Sequence, residues 1–235
     1  MSTPAMDGRW PMPGGSSLPA KPSDNVREDE SIGRLKKRVN HLINELYTIH
    51  ELFNAFEAIY NKQVSDVDVL NMAPGFFQST LYSFIHLFAM MLSRMYDIGT
   101  NSNSLNNLIN SISSNPRFIS MGNQNVQETL DSCRILLSND AKKAKQLKTL
   151  RDKALAHNDL KRINHDMWRE IGRTIGDYRG MVTNAHDILC RIGNLLALPT
   201  PTLGVHVEDD IDYLISNLRS ALNRELEGLE LDISQ

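Results

Sequence analysis

Residues 31–60 read SIGRLKKRVNHLINELYTIHELFNAFEAIY, and the spacing of their apolar side chains decides the fold class. Steps of three and four residues connect Ile32, Leu35, Val39, Leu42, Leu46, Ile49, Phe53, Phe56 and Tyr60. This period is typical of one apolar stripe along an α-helix, which turns once every ~3.6 residues. We therefore predict a long first helix that buries its stripe against other helices.

The same helical spacing continues through most of the chain, without a useful run of the two-residue period that marks a β-strand. Pro74 opens a second long helix, because proline suits the first helical position. Two further long helices are predicted, one from about Val126 to His157 and one from about His165 to Leu196. We predict an all-α fold, a helical bundle of four long helices plus short helices.

Composition separates both ends of the chain from this bundle. Residues 1–30 hold five of the nine prolines and no apolar period, which predicts a disordered arm. Residues 31–198 form the predicted bundle, and residues 207–230 form a C-terminal amphipathic helix. The N-terminus lacks the layout of a signal peptide, and polar residues interrupt the most apolar stretch, 76–92. We therefore expect a cytoplasmic protein without a membrane span.

Charge and motif content exclude several classes of function. The chain has a formal net charge of −3, which argues against a globally basic nucleic-acid binder. Cys133 and Cys190 form no CxxC pair, and the histidines show no metal-ligand spacing beside a carboxylate cluster. The sequence has no glycine-rich phosphate loop, no HExxH and no GxSxG. We predict no metal site and no cofactor.

One stretch, RDKALAHND at residues 151–159, combines groups that suit phosphodiester chemistry. Arg151 supplies a permanent cationic fork for a phosphate, and His157 titrates near neutral pH. The imidazole can activate a ribose 2′-hydroxyl or protonate the leaving oxygen. The guanidinium can stabilise the charge that grows on phosphorus, so the pair needs no metal.

The Arg/His spacing alone is weak, because similar pairs occur at residues 34–41 and 179–186. Context separates the pair at Arg151 and His157 from these two: Asp152 follows the arginine, and lysines cluster upstream. Six residues turn an ideal helix by about 600°, which leaves the two side chains about 120° apart. Either the helix unwinds near His157, or two copies of the motif meet across a dimer.

Residues 140–162 form a local basic segment. Eight Lys and Arg residues minus three Asp residues give +5 there, whereas the whole chain carries −3. This charge favours a polyanionic ligand. The alternative is a solvated helix face with ordinary lysines.

These residues resemble a HEPN domain, an all-α and usually dimeric family marked by an Arg, a following polar residue and a nearby His. Here the three are Arg151, Asp152 and His157. The closer resemblance is to the AbiU-type abortive-infection branch. It rests on LSRMYD at 92–97 with SLNNL at 104–108, and on LRDKALAHND at 150–159, and it covers about residues 32–198.

The resemblance implies a metal-independent endoribonuclease or an RNA-binding protein in prokaryotic phage defence or a toxin–antitoxin pair. It implies a homodimer, an RNA ligand and an antitoxin or operon partner. The candidate catalytic residues are Arg151, Asp152 and His157. The candidate RNA contacts are Lys145, Lys148, Lys153 and Asn158.

Two questions stay open at this level. Arg94 and Asp97 lie one turn apart, so they either form an ion pair on the helix surface or support the candidate active site from a neighbouring helix. The function is open as well, because a helical interaction module without catalysis, or a nucleotide sensor using the same cleft, fits the pattern too.

Overall fold

The computed structural model describes residues 24–99, 102–115, 124–156, 165–204 and 207–233. Within these ranges every regular element is an α-helix. In chain order the helices are α1 Asp24–Ser65, α2 Val67–Leu70, α3 Pro74–Met95, α4 Leu105–Ser113, α5 Gln124–Ala156, α6 His165–Leu195 and α7 Val207–Ile233. The predicted all-α fold is confirmed.

Helix α1 is the longest element and contacts α3, α4, α6 and α7. It begins at Asp24, inside the segment 1–30 that composition predicts to be disordered; residues 1–23 lie outside the described part. Seven residues of the predicted stripe, from Leu35 to Phe56, are buried. Tyr60 is a correction, because 41% of it is exposed near the end of α1.

Helix α3 begins with Pro74 at its first turn, as predicted. Phe88, Leu92 and Met95 are fully buried, and the helix packs on α1, α5 and α6. Among the described residues, α3 is the one helix whose length and hydropathy would allow a membrane span, and 33% of its apolar window is buried. Its contacts make α3 a central helix of the bundle.

Helix α4 is short, and its polar cap fixes where it starts. Ser104 is the N-cap residue, and its hydroxyl accepts a hydrogen bond from the Asn107 backbone N–H at 3.4 Å. Leu105, Leu108 and Ile112 are fully buried against α1 and α5. The remaining face of α4 carries Asn and Ser residues.

Helices α5 and α6 complete the bundle and pack on each other. Both fall where the spacing predicts them, with buried residues such as Leu130, Leu147, Val182 and Leu189. The residue before α6, Asn164, is of a type that suits an N-cap and is predicted to be one, but it lies outside the described residues.

Helix α7 packs on α1 and α2 through a small second core of Ile59, Val69, Leu70, Phe77 and Ile215. The sequence spacing predicts that the apolar stripe of α7 consists of Ile211, Leu214, Leu218, Leu222 and Leu226. The structure corrects part of this prediction. Ile215 is 2% exposed, whereas the predicted Leu214 and Leu226 are 44% and 51% exposed. Leu214 and Ile215 are adjacent apolar residues, so the contact surface of α1 and α2 decides which one is buried.

Candidate active site

Arg151 lies near the described end of α5, where two carboxylates contact its guanidinium. Its Nε and Nη2 atoms both donate to Asp152 Oδ1 at 3.1 Å. Its Nη1 atom lies 3.8 Å from Asp97 Oδ2, close enough for an ion pair but too far for a hydrogen bond. The side chains of Arg151 and Asp97 are only 19% and 18% exposed. Arg151 thus joins α5 to the segment after α3 and leaves Nη1 without a hydrogen bond to any described residue.

Asp97 is held by local bonds directly after α3. Its Oδ1 atom accepts a hydrogen bond from the Gly99 N–H at 3.0 Å. Its own N–H donates to the Arg94 carbonyl oxygen at 3.1 Å. One carboxylate oxygen therefore fixes the turn while the other faces Arg151.

Arg94 points away from this cluster and toward α1. It pairs with Glu45 Oε1, and His41 Nε2 lies 3.1 Å from the same oxygen. Glu45 is buried, and its Oε2 atom has no hydrogen-bond partner in the described part of the chain. Arg94 and Asp97 thus reach different helices and form no ion pair with each other. Of the two, only Asp97 contacts Arg151.

A cleft of about 780 Å³ opens beside Arg151, between α3, α4 and α5. Lys145, Lys148 and Asp152 line it from α5, and Asp97 lines it from the segment after α3. Apolar side chains such as Ile98 also line the cleft. This combination of cations and apolar surface suits a ligand with both phosphates and bases.

Part of this cleft was not predicted from the sequence. Arg134 and Ser138 line it together with the lysines, and they share one face of α5. Steps of three and four residues run from Arg134 through Ser138 and Ala141 to Lys145, and the same steps continue to Asp152. A helical projection of residues 134–152 is the signal that could have found Arg134.

A buried polar network holds α5 in place below the cleft. The Tyr96 hydroxyl lies 2.9 Å from Asp140 Oδ2 and 2.6 Å from the Met181 carbonyl oxygen. Asn184 donates to the same Asp140 oxygen at 3.0 Å. Burial raises the pKa of Tyr96 well above its usual value, and the Asp140 carboxylate adds to the shift. The phenol therefore stays neutral and links α3, α5 and α6.

Three of the predicted site residues fall partly or wholly outside the described structure. His157 and Asn158 lie beyond residue 156, and Lys153 is described only in its backbone. The structure brings together Arg151, Asp152 and Asp97, with Lys145 and Lys148 in the same cleft.

The two other Arg/His pairs are engaged elsewhere. Arg179 pairs with Glu57 and lies 5.0 Å over the Phe53 ring, while His186 Nε2 is 2.9 Å from the Pro201 carbonyl oxygen. In the pair at residues 34–41, the histidine contacts Glu45 and the arginine is exposed. Neither pair converges on one point.

The model of the HEPN_AbiU2 family, described as AbiU2, matches residues 32–214. The chain belongs to the HEPN_AbiU2 family. No curated protein and no solved structure matches it. The AbiU-type resemblance is confirmed, and the match to HEPN_AbiU2 extends into α7.

The three segments that carry the AbiU-type resemblance meet at the cleft of this HEPN_AbiU2 chain. Ser93, Tyr96 and Asp97 come from the first segment, Asn106 from the second and Asp152 from the third, and all five line the cleft. Ser93 adds a buried hydroxyl that has no hydrogen-bond partner in the described part of the chain. Segments far apart in sequence therefore form one surface.

Proposed function

We propose that this HEPN_AbiU2 protein is a metal-independent endoribonuclease in prokaryotic defence or a toxin–antitoxin pair. The observation that carries the proposal is the convergence of the three segments on one cleft, with Arg151 in contact with two of its lining residues. We further propose that the protein is cytoplasmic, acts as a homodimer and has an antitoxin or operon partner.

Arg151 has the donor geometry for a phosphate. The N–H groups of its Nη1 atom make no hydrogen bond to described residues, while Nε and Nη2 are held by Asp152. A scissile phosphate could accept a hydrogen bond from Nη1 while Nε and Nη2 stay bonded to Asp152. The guanidinium would then stabilise the extra negative charge of the pentacoordinate transition state.

His157 is the proposed acid–base group. It would take the proton of the ribose 2′-hydroxyl, whose oxygen then attacks phosphorus while the bond to the 5′-oxygen breaks. The protonated imidazole would then give this proton to the leaving 5′-oxygen. The products are a 2′,3′-cyclic phosphate and a 5′-hydroxyl, so the step needs neither water nor a metal. Since Arg151 and His157 diverge on a straight helix, we propose that the imidazole comes from a second copy or from a helix that ends before it.

The first test is cleavage of a defined single-stranded RNA by purified full-length protein in excess chelator, followed by analysis of the product ends. We expect cleavage to persist and to leave 2′,3′-cyclic phosphates. Cleavage that stops in chelator and returns with magnesium would rule out the Arg/His mechanism.

The second test compares Arg151→Lys, Arg151→Gln and His157→Ala, with folding followed by circular dichroism and sizing chromatography. Each variant should lose a factor of about 10²–10⁴ in rate while staying folded. Lysine should not rescue Arg151, because an ammonium cannot reproduce the planar fork. His186→Ala is the matched control, and it should cleave at nearly the wild-type rate. A folded His157→Ala protein with wild-type activity would contradict the assignment.

RNA binding through the cleft has its own matched pair of variants. Lys148→Gln removes a charge that lines the cleft, whereas Lys142→Gln removes an exposed charge of α5 outside the lining. Lys148→Gln should lower the slope of log affinity against log salt by about one, because each phosphate contact releases about one counterion. Equal effects of the two substitutions would indicate a diffuse charge effect instead of a cleft.

One observation favours a second candidate function. Asp97 and Asp152 together offset the charge of Arg151, so the same contacts serve a helical interaction module or a nucleotide sensor that performs no cleavage. Nucleotide-dependent thermal stabilisation without RNA cleavage would support the sensor. Neither cleavage nor stabilisation, with a partner protein bound at the cleft, would support the interaction module.

A further inference from the structure

Arg38 of α1 differs from the arginines that join helices through a carboxylate. Its Nε atom donates to Asn103 Oδ1 at 3.2 Å, and its Nη1 atom donates to Ser111 Oγ at 2.7 Å. Both partners are neutral, and no described carboxylate forms an ion pair with Arg38. The Nη2 atom has no hydrogen-bond partner among the described residues. Arg38 is half-buried, so its charge is partly desolvated, and no anion among the described residues offsets it.

Arg219 shows the contrast. It joins α7 to the start of α2 and donates to Asp66 Oδ1 at 2.7 Å. Hydrogen bonding to Asp66 raises the pKa of Arg219, whereas burial lowers the pKa of Arg38. Arg38 remains a cation at neutral pH, because an arginine pKa lies far above that range. It is therefore a partly buried cation that lacks an anion.

A cleft of about 600 Å³ opens beside Arg38, between α1 and α4. Every other residue that lines it is an Asn or a Ser, for example Asn107, Asn110 and Ser114. Amide and hydroxyl groups donate hydrogen bonds to phosphate oxygens without adding charge. The donor groups of Ser102, Asn107, Ser111 and Ser114 already bond to oxygens of the chain. Among the described residues of the lining, the Nη2 atom of Arg38 and the amide nitrogens of Asn103 and Asn110 are left for a ligand, and no carboxylate is present.

The surrounding sequence adds positive charge. Besides Arg38, residues 31–44 of α1 contain three Lys and Arg residues and no Asp or Glu. A second hydrogen bond orients Ser111 as an acceptor for Arg38. The Ser111 hydroxyl donates to the Asn107 carbonyl oxygen at 2.6 Å, so its lone pairs face the Arg38 guanidinium. The cation is thus held by a prearranged pair of acceptors.

From these contacts we infer that the α1–α4 cleft is a phosphate-binding site with Arg38 as its cation. The ligand is a phosphate group, either of a free nucleotide or of an RNA backbone. The site is separate from the Arg151 cleft, although both open beside α4: Asn106 lines the Arg151 cleft, and Asn107 lines this one. Its existence does not depend on whether the protein cleaves RNA.

The experiment titrates full-length protein with three probes: inorganic phosphate, adenosine 5′-monophosphate and a single-stranded 12-nucleotide RNA. Calorimetry and thermal shift follow the first two, and fluorescence anisotropy follows the third, all at constant ionic strength. Arg38→Gln should weaken binding of at least one probe tenfold or more. Arg38→Lys should weaken binding as well, because an ammonium group cannot reproduce the planar guanidinium that bonds to Asn103 and Ser111.

Two further variants separate the site from general charge and from folding. Arg34→Gln removes an exposed cation one turn away that does not line the cleft, and it should change binding less than twofold. Asn110→Asp leaves the hydrogen bonds of Arg38 intact but places a carboxylate in the cleft. It should weaken binding as much as Arg38→Gln, even if Arg38→Gln itself folds poorly.

The probes distinguish the sources of the phosphate. Binding of phosphate or the nucleotide in an Arg38-dependent way indicates a small nucleotide, whereas dependence seen only with RNA indicates a backbone phosphate. The dependence should persist in an Arg151→Gln background, which separates this inference from the proposed nuclease. The inference is wrong if no probe depends on Arg38, or if Arg34→Gln and Arg38→Gln weaken binding equally.

Discussion

Asp97→Asn removes the charge that faces Arg151 while retaining the amide oxygen that can accept from the Gly99 N–H. At the observed 3.8 Å, two unit charges attract by about 4 kcal/mol at an effective dielectric near 20 and by about 1 kcal/mol in bulk water. Both side chains are about one-fifth exposed, and the distance is too long for a hydrogen bond. We therefore expect a net coupling near the lower value, about 1 kcal/mol. For a protein of this size, that loss lowers Tm by about 2–4 °C.

A double-mutant cycle of Asp97→Asn with Arg151→Gln measures this coupling, since the contact of Arg151 with Asp152 cancels in the cycle. Urea unfolding at 0.1 M and 0.5 M salt is the assay. A partly buried pair should keep most of its coupling at the higher salt. A coupling energy below about 0.3 kcal/mol would refute the argument that Asp97 holds Arg151 electrostatically, because even fully exposed ion pairs show coupling energies of that size.

Three further outcomes are expected. Phe88→Ala should lower the free energy of unfolding by about 3–5 kcal/mol in urea melts, because Phe88 is fully buried; a loss below about 1 kcal/mol would contradict its central place. Arg94→Met should destabilise the fold by about 1–3 kcal/mol, because it leaves Glu45 poorly paired. The rate of cleavage per folded molecule should stay unchanged, and a selective loss of this rate would place Arg94 in the active site. Burial lowers the pKa of His50, which accepts a hydrogen bond from Asn54 as a neutral imidazole. The unfolded state therefore binds more protons, and stability should fall as pH drops through about 6.5. In the His50→Gln protein the urea midpoint should depend less on pH between about 7.5 and 5.5, and an unchanged dependence would contradict this.

The helices were predictable because their signals are local. A stripe with steps of three and four residues places Leu42 and Ile49 on one face, and a proline at position 74 starts a helix whatever lies around it. The position of Tyr60 was not predictable in this way. The period continues to Tyr60, but burial requires a neighbouring element at that height of the bundle, and no local pattern contains that information.

In the candidate site, too, the local groupings were predictable and the contacts between distant segments were not. Arg151 and Asp152 are adjacent, and Lys145 and Lys148 lie on the same helix, so sequence spacing could group them. The contact of Arg151 with Asp97 joins two segments far apart in the chain, and it forms because α3 packs on α5. Sequence spacing links Asp97 to Arg94 instead, one turn away, although Arg94 pairs with Glu45 of α1.

The charges around Arg151 lead to a last prediction about oligomeric state. The charges of Arg151, Asp97 and Asp152 sum to −1, and Lys145 and Lys148 bring the total to +1. The remaining cation of the lining, Arg134, adds nothing to this sum because it is paired with Asp131. A scissile phosphate would meet a nearly neutral environment in a single chain, although its transition state gains negative charge and needs more cations. A second copy that brings its own motif would supply them.

We therefore expect cleavage per chain to fall in proportion to the dimer fraction as the protein is diluted. Sedimentation and RNA cleavage measured over the same concentration series test this dependence. Mixing Arg151→Gln chains with His157→Ala chains provides the sharper comparison, because a composite site would regain activity in the mixed dimer. Constant cleavage per chain where sedimentation finds only monomers would show that one chain suffices, and the extra cation would then have to come from Asp152 releasing Arg151 when RNA binds.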